Sequence, residues 1–437
     1  MTKAITDRLA GEINEAFPYK VCINLDRRPE RWQRMQLKFE QHGIHSVRRF
    51  TALDGDTLNI PEHWIHTPGA YGCLRSHVQV VCEARERGAS SVLIFEDDVV
   101  FDPHLQKKFS SYIEQLPPGW DMLFFGALHK GDPVNVSENI VRLTRSNSTY
   151  AYALRDTVFD AFIELNRKAE DVLDNNSFIL QQQFNCYCFM PHLAWVETDY
   201  SDAQKRFERH WYLKESLVLF GAGVDRLLSN TTLIFAHTDC TQDGRATTNL
   251  MFLVAYYQFF FSPHLAIVIV EQGAQPRIDP ATLPANCKYI FLRGEGRFNK
   301  ELCFTTGISN SDPWGKFVIL SNSDIYLETL DFRANLLMCD RYDCATGFSQ
   351  IIDLTEEDSL RLRQTNTTRG IDITKHALPI NNTRAGYCRF FKREAIRLPE
   401  GGNEGGPEEV GHPLSFGAQE QLRVFQSPNH ALRLNQD

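Results

Sequence analysis

Hydrophobic and polar positions alternate between two rhythms over the first 200 residues. Short, almost wholly apolar runs are separated by stretches whose apolar residues recur at helical spacing. The pattern predicts strands over Tyr19–Leu25, Ser46–Ala52, Ser91–Phe95 and Trp120–Gly126. Between them it predicts helices over Pro29–His42, with proline in the first turn, and over Gly69–Arg87, closed by Gly88. Strands that alternate with helices in this way imply an α/β fold with a largely parallel sheet. The more charged stretch 201–230 reads as a helical linker, after which the rhythm restarts. Strands are expected over Thr232–Ala236, Leu265–Val270, Lys288–Leu292 and Lys316–Leu320, with helices over Ala246–Phe261 and Asn299–Ser309. The Gly/Glu-rich segment 401–411 reads as a loop.

The sharpest chemical feature is the end of the third apolar strand, where Phe95 is followed by Glu96, Asp97 and Asp98. Three carboxylates at the C-terminal end of a buried strand repel one another, and that edge of an open α/β sheet is where ligands bind. A divalent cation relieves the repulsion. Hard carboxylate oxygens suit Mg²⁺ or Mn²⁺, which can also grip the diphosphate of a nucleotide. If the extended backbone continues, Glu96 and Asp98 face one way as metal ligands and Asp97 the other. The alternative is a solvated strand end entering a turn.

Composition narrows the function classes. The chain has 437 residues, enough for two or three domains, and 43% of them are hydrophobic, which supports real cores. A formal net charge of -9 removes the whole-chain electrostatic footprint of a nucleic-acid binder. Eleven scattered cysteines form no disulfide framework and read as reduced thiols. The longest apolar stretch, Leu250 to Phe261, is too short to span a bilayer, and no signal peptide is evident. The expected setting is cytoplasmic, with peripheral contact at the inner face of a membrane still open.

An ordered series of motifs runs through Cys22–Arg28 with Arg31, Phe50–Gly55, Thr67-Pro68-Gly69 with Gly72-Cys73 and Ser76-His77, and Leu93–Val99. It continues through Trp120-Asp121 with Gly126, Thr149–Ala153, and Pro191 with Ser201-Asp202. This series resembles glycosyltransferase family 25, which includes lipopolysaccharide galactosyltransferases and the catalytic domain of collagen galactosyltransferases. Ala70 stands where the family usually has glutamate. The resemblance implies a GT-A-type (Rossmann-like) nucleotide-sugar fold, a UDP-sugar donor such as UDP-galactose, and inverting, Mn²⁺- or Mg²⁺-assisted transfer to a glycan or lipid-linked glycan hydroxyl.

Within that resemblance, Asn24, Leu25, Arg28 and Arg31 at the mouth of the first strand, with Asp97, would hold the nucleotide. Glu96 and Asp98 would hold the metal, and Asp174 would be the general base, with a helix cap or loop carboxylate as its other reading. His77 either contacts the donor or is a satisfied core histidine. Asp202 is a weaker, structural candidate. His192 could complete a metal shell, although the family pattern has no histidine there.

Through Leu233–Asp239, Ala266–Gly273, Phe298-Asn299-Lys300 with Gly307, and Val318–Leu327, the second half resembles, more faintly, a family 2-like or chondroitin-synthase-type GT-A domain. Asp239 would reach the uracil or ribose, Asn299 and Lys300 belong to an Arg-Asn-Lys-like helix start, and Asp324 is the one acid left in Ser-Asn-Ser-Asp. Gly401–Glu404 resembles an acceptor loop, Glu420 a base, and His430 a C-terminal metal ligand. The implied organisation is a family 25-like domain at 1–205, a linker at 206–230 and a second GT-A-like domain at 231–437. The expected function is a glycosyltransferase with two active modules. The alternative is one active N-terminal transferase with a degenerate C-terminal module that binds glycan or a partner. A phosphatase or nuclease would need further ligands for a second metal, and none stands at suggestive spacing.

Overall fold

A computed structural model describes residues 12–196, 198–208, 210–239, 244–294, 296–348, 350–366, 377–379, 388–397, 415–416, 423–426 and 430–434. The chain divides into two compact units, Met1–Gly221 and Ala222–Asp437.

In the first unit, β1 (Lys20–Asn24), β2 (Val47–Thr51), β3 (Ser91–Glu96), β4 (Val99–Phe101), β5 (Met122–Phe124), β6 (Val134–Asn135), β7 (Ile140–Arg142), β8 (Ala151–Arg155), β9 (Cys186–Phe189) and β10 (Ala194–Val196) are joined in part by helices. These are α1 (Pro29–Gln41), α2 (Pro68–Glu86), α3 (Asp156–Arg167) and α4 (Leu173–Gln183). The eight-stranded sheet runs β2-β1-β3-β8-β5-β9-β7-β6. It is mixed rather than largely parallel: β1 is parallel to β2 and β3, but β8 runs antiparallel to both β3 and β5. The apolar run that marks a strand carries no sign of its direction, so the reversal at β8 could not be read from pattern.

Strand β3 lies inside this sheet, and Val92, Leu93, Ile94 and Phe95 are fully buried. Burial of such side chains stabilises the unit by about 1.5–3 kcal/mol each. The strand's last residue is therefore fixed by its neighbours: Glu96 is opposite Ile23 of β1, and its N–H donates to Tyr150 O at 2.8 Å.

Helix α2 starts where Thr67 Oγ1 accepts from Ala70 N at 3.1 Å, with Pro68 at the first position. Gly69 and Gly72 matter here because the carbonyls of Asp202 and Leu53 occupy the space a Cβ would need. Loops distant in sequence thus press onto the first turns of α2.

The stretch 206–230 differs from a helical linker. It opens as strand, with Arg206–Glu208 pairing antiparallel to Asp199–Ser201, and helix occupies Trp211–Lys214 and Ala222–Ser229. A tight turn causes this: Ser201 Oγ accepts from Gln204 N at 3.1 Å, and Lys205 takes φ 55°, donating its N–H to Ser201 O.

The second unit contains β11 (Thr231–His237), α5 (Arg245–Phe261), β12 (Ala266–Gly273), β13 (Cys287–Arg293), α6 (Lys300–Ser309), β14 (Phe317–Asn322), β15 (Cys344–Thr346), β16 (Cys388–Lys392) and β17 (Val424–Gln426). Its sheet runs β13-β12-β11-β14-β16-β15-β17, with β13, β12, β11 and β14 parallel and β16 antiparallel to β14. Among the described residues no helix is long and apolar enough to cross a membrane, and the cysteines described are free thiols.

Candidate functional site

A cleft of about 650 Å³ opens over the C-terminal ends of β1 and β3. Its walls come from β1 and its following turn (Asn24, Leu25, Arg27), α1 (Arg31), the loop Ala52–Gly55, α2 (Cys73, Ser76, His77), the acidic turn Glu96–Asp98, and Ser201–Ala203. Every motif in the family-like series up to Val99, together with Ser201-Asp202, contributes to this one place.

The acidic turn does not continue the strand's alternation. Residues 97 and 98 form a turn, so Asp97 and Asp98 both approach Arg31 while Glu96 faces α2. Asp97 is fully engaged: Oδ2 accepts from Asn24 Nδ2 at 2.6 Å and Oδ1 from Arg31 Nη1 at 3.1 Å. Arg31, although charged, is only 4% exposed, because its guanidinium also donates to Asp199 Oδ2 at 3.1 Å and to the Tyr200 carbonyl at 2.6 Å. Asn24 is oriented in turn by Arg49, whose Nε donates to its Oδ1 at 2.9 Å.

Asp98 is left differently. Its Oδ2 lies 4.0 Å from Arg31 Nη1, while its Oδ1 is buried with no hydrogen-bond partner. Burial, with the charges of Glu96 and Asp97, pushes its carboxyl up to about 8. Glu96 Oε1 is 3.4 Å from Nε2 of the buried His77, whose Nδ1 is 2.9 Å from the Tyr152 hydroxyl. Cys73, His77 and Glu96 present donor atoms within 4.8 Å of one another. A buried carboxylate oxygen without a donor, next to two further carboxylates, fits the hard-oxygen donor set expected for a divalent cation.

Arg27, although exposed, lines the cleft and donates from Nε to Asp54 Oδ2 at 2.8 Å and from Nη1 to Asp202 Oδ1 at 2.5 Å. Arg28 clamps the other oxygen of Asp202 at 2.6 Å. Asp202 thus ties the β1 turn to the loop after β10. Asp54, Cys73 and Asp202 acquire their roles through contacts between segments far apart in sequence; the family-like motifs include Asp54 and Cys73, but the sequence assigned neither a role.

Asp174 is in the first turn of α4 and is absent from the cleft wall. Its Oδ1 accepts from Ser148 N, Thr149 N and Thr149 Oγ1 at 3.0–3.2 Å, and Oδ2 has no partner among the described residues. Burial and the charge of Glu96 raise its pKa. His192 points elsewhere altogether, toward His129 and Cys188 rather than the acidic turn.

In the second unit, the strand-end residues form a hydrogen-bonded chain. Asp239 Oδ2 accepts from Thr247 Oγ1 at 2.6 Å, that hydroxyl is 3.3 Å from His237 Nε2, and His237 Nδ1 is 3.0 Å from Ser323 Oγ. Asp324 is 9% exposed, and its charge acts on Lys300. Asn299 caps α6, accepting from Leu302 N at 3.0 Å. Asp239, Lys300 and Asp324 are therefore gathered around the ends of β11 and β14, whereas Asn299 is spent on capping. His430 is described by its backbone alone, opposite Gln350, and Glu420 and Gly401–Glu404 lie outside the described residues.

The sequence model of the family described as glycosyltransferase family 25 (LPS biosynthesis protein) matches residues 18–153. A putative glycosyltransferase of Acanthamoeba polyphaga mimivirus is 30% identical over 207 residues, 42% of this chain and 64% of that protein. A glycosyltransferase 25 family member of Drosophila pseudoobscura pseudoobscura is 32% identical over 123 residues, 24% of this chain and 20% of that protein. The human inactive glycosyltransferase 25 family member 3 is 31% identical over 163 residues, 32% of this chain and 27% of that protein. The chain thus spans less than two-thirds of each of these relatives. Among solved structures, a putative nucleotide-diphospho-sugar transferase of Desulfovibrio desulfuricans aligns at TM-score 0.26 and 13% identity, over 47% of this chain and 81% of that one. A glucosyl-3-phosphoglycerate synthase of Mycobacterium tuberculosis, in complex with Mn²⁺, UDP and phosphoglyceric acid, aligns at TM-score 0.23 and 8% identity, over 39% and 60%. At those scores nothing further rests on the structural likeness. The sequence match covers the segments that supply Asn24, Arg31 and the acidic turn, and over residues 18–153 the chain is similar to glycosyltransferase family 25.

Proposed function

We propose that the first unit transfers a hexosyl group, galactose being favoured, from a UDP-sugar to a glycan hydroxyl with inversion and with the help of Mn²⁺ or Mg²⁺. The observation that carries this reading is the convergence of Glu96, Asp97 and Asp98 with Arg31 and Asn24 on the wall of one cleft. Glu96 and Asp98 would hold the cation, which when bound offsets charge on the departing diphosphate.

The remaining chemistry falls to the chain's own side chains. Arg31 holds Asp97 and so fixes the acidic turn against β1. Asn24, clamped between Asp97 and Arg49, presents a rigid amide edge at the mouth of β1 beside Leu25, where a nucleoside can lie. Arg27 at the cleft wall supplies positive charge for phosphate, with Arg28 and Asp202 setting its position. Asp174 is the base in this reading: its Oδ1 is tied to the 148–149 turn, and Oδ2 is the atom that would take the acceptor's proton. The acceptor class is a glycan, carried on lipid at the inner face of a membrane or soluble.

Incubation of the full chain with a panel of UDP-sugars and Mn²⁺, read as UDP release, tests the proposal without an acceptor. Metal-dependent release from at least one donor is expected. No release from any sugar nucleotide, with either cation, would remove it.

For the second unit, the single acid Asp324 at a strand end otherwise occupied by Asn322 and Ser323 favours a degenerate module that binds glycan or a partner. The bifunctional reading draws on the gathering of Asp239, Lys300 and Asp324, with Glu420 as base and His430 as a further ligand.

A further inference from the structure

Three buried side chains of the first unit, none of them in the cleft wall, converge from separate segments. His129 ends the short strand Leu128–His129, Cys188 lies in β9, and His192 stands between β9 and β10. Relative exposures are 0% for His129, 0% for Cys188 and 1% for His192. One nitrogen from each ring and the Cys188 sulfur lie within 4.8 Å of one another, and the two rings are 5.7 Å apart.

The hydrogen bonds on the far side of each ring decide what faces inward. His192 Nδ1 is 2.8 Å from the carbonyl of Leu213, which can only accept, so Nδ1 carries the proton and Nε2 presents a lone pair. His129 Nδ1 is 2.8 Å from Ser146 Oγ, and Ser146 is itself buried with its backbone held by the Gln181 amide. Neither Nε2 has a hydrogen-bond partner. Burial keeps both imidazoles neutral near pH 7. A buried polar atom left unpartnered costs about 1–3 kcal/mol, and two beside a thiol call for a shared partner; with Ser146 Oγ accepting from Nδ1, His129 Nε2 presents a lone pair as His192 Nε2 does. Tetrahedral Zn–N and Zn–S bonds place neighbouring donor atoms about 3.3–3.6 Å apart, a spacing inside the 4.8 Å within which these three already lie.

We propose that His129, Cys188 and His192 bind a single Zn²⁺ ion as a buried site separate from the catalytic cleft. Two imidazoles and a thiolate form a borderline-soft donor set, unlike the all-carboxylate turn of the cleft. The Nδ1 contacts to Leu213 O and Ser146 Oγ are the outer bonds that fix the orientation of ligating imidazoles. Binding displaces the thiol proton to solvent and ties the strand Leu128–His129 to the end of β9.

The test is spectroscopic and independent of transfer activity. The full chain is stripped with a chelator, titrated with Co²⁺, and read for a thiolate-to-cobalt charge-transfer band. A band that saturates at one equivalent and is displaced by Zn²⁺ is expected. It should persist in Asp98→Asn and in Cys73→Ser, which touch the cleft, and vanish in Cys188→Ser. Should Cys188→Ser fail to fold, His129→Gln keeps the thiol and is expected to bind at least tenfold more weakly in chelator competition. Absence of the band from the wild-type chain at saturating Co²⁺, or its loss in Cys73→Ser but not in Cys188→Ser, overturns the assignment.

Discussion

The ends of β3 and β14 occupy equivalent places in two sheets. Each strand has a parallel neighbour on one side and an antiparallel one on the other, and each passes through a two-residue turn into another short strand, Val99–Phe101 or Ile325–Tyr326. The side chains there differ sharply. Glu96, Asp97 and Asp98 bring three carboxylates, answered by Arg31 and Asn24; Asn322, Ser323 and Asp324 bring one. The first end leaves a buried carboxylate oxygen of Asp98 unpartnered, while the second spends Ser323 on a contact with His237. A shared backbone frame can therefore hold a charge cluster suited to an ion or a mostly neutral network, and the chemistry follows the side chains rather than the fold.

The comparison breaks most directly at its two aspartates. Asp98→Asn is expected to lower metal-dependent transfer by about a thousandfold, ~4 kcal/mol in the barrier, because it removes one of the oxygens that would hold the cation. Asp324→Asn should leave the same reaction within about twofold. Initial rates with the donor identified by UDP release measure both. Equal losses in the two variants would mean that the second end takes part in the same chemistry.

A smaller effect separates how the two ends balance charge. Arg31 is buried among Asp97, Asp98 and Asp199, so Arg31→Met leaves carboxylates without their cation and is expected to cost about 3 kcal/mol of stability. Lys300→Met next to Asp324 should cost less, about 1 kcal/mol, since it leaves one carboxylate uncompensated rather than three and removes a cation that is itself only half-buried. Urea midpoints of the two variants check this. A loss for Lys300→Met as large as for Arg31→Met would show that Asp324 depends on a built-in cation as strongly as the acidic turn does.

What could be read from the sequence follows from which interactions are local. The apolar run Val92–Phe95 and the proline at the start of α1 are local signals, and the strand and helix they predict stand within a residue or two of their expected bounds. The acidic turn was equally visible because three consecutive carboxylates are rare inside a core. Its internal arrangement was not, because the turn at 97–98 interrupts the alternation and aims both aspartates at Arg31. Arg27 and Asp202 meet across 175 residues, and no spacing rule reaches that far. The direction of β8 and the strand at the start of 206–230 were missed for the same reason: sheet pairing and turns override a locally ambiguous pattern.

A third effect, smaller than the losses expected for Asp98→Asn and Arg31→Met, concerns protons at the second end. His237 is fully buried between Ser323 and Thr247, and burial pushes its pKa down to about 4 from 6.5, partly opposed by Asp239. A histidine whose folded pKa is depressed contributes its full stability above the unfolded pKa, and that contribution is lost as pH falls from about 6.5 toward 4. Between pH 7 and pH 5 the loss amounts to about 2 kcal/mol for a shift of this size. Amide exchange over Thr231–His237 should therefore become easier on acidification, and His237→Gln should flatten the trend by removing the titrating group. An unchanged slope in the variant would assign the acid sensitivity of this strand to another group. A flattened slope would establish that the second end is built around an uncharged imidazole where the first is built around carboxylates.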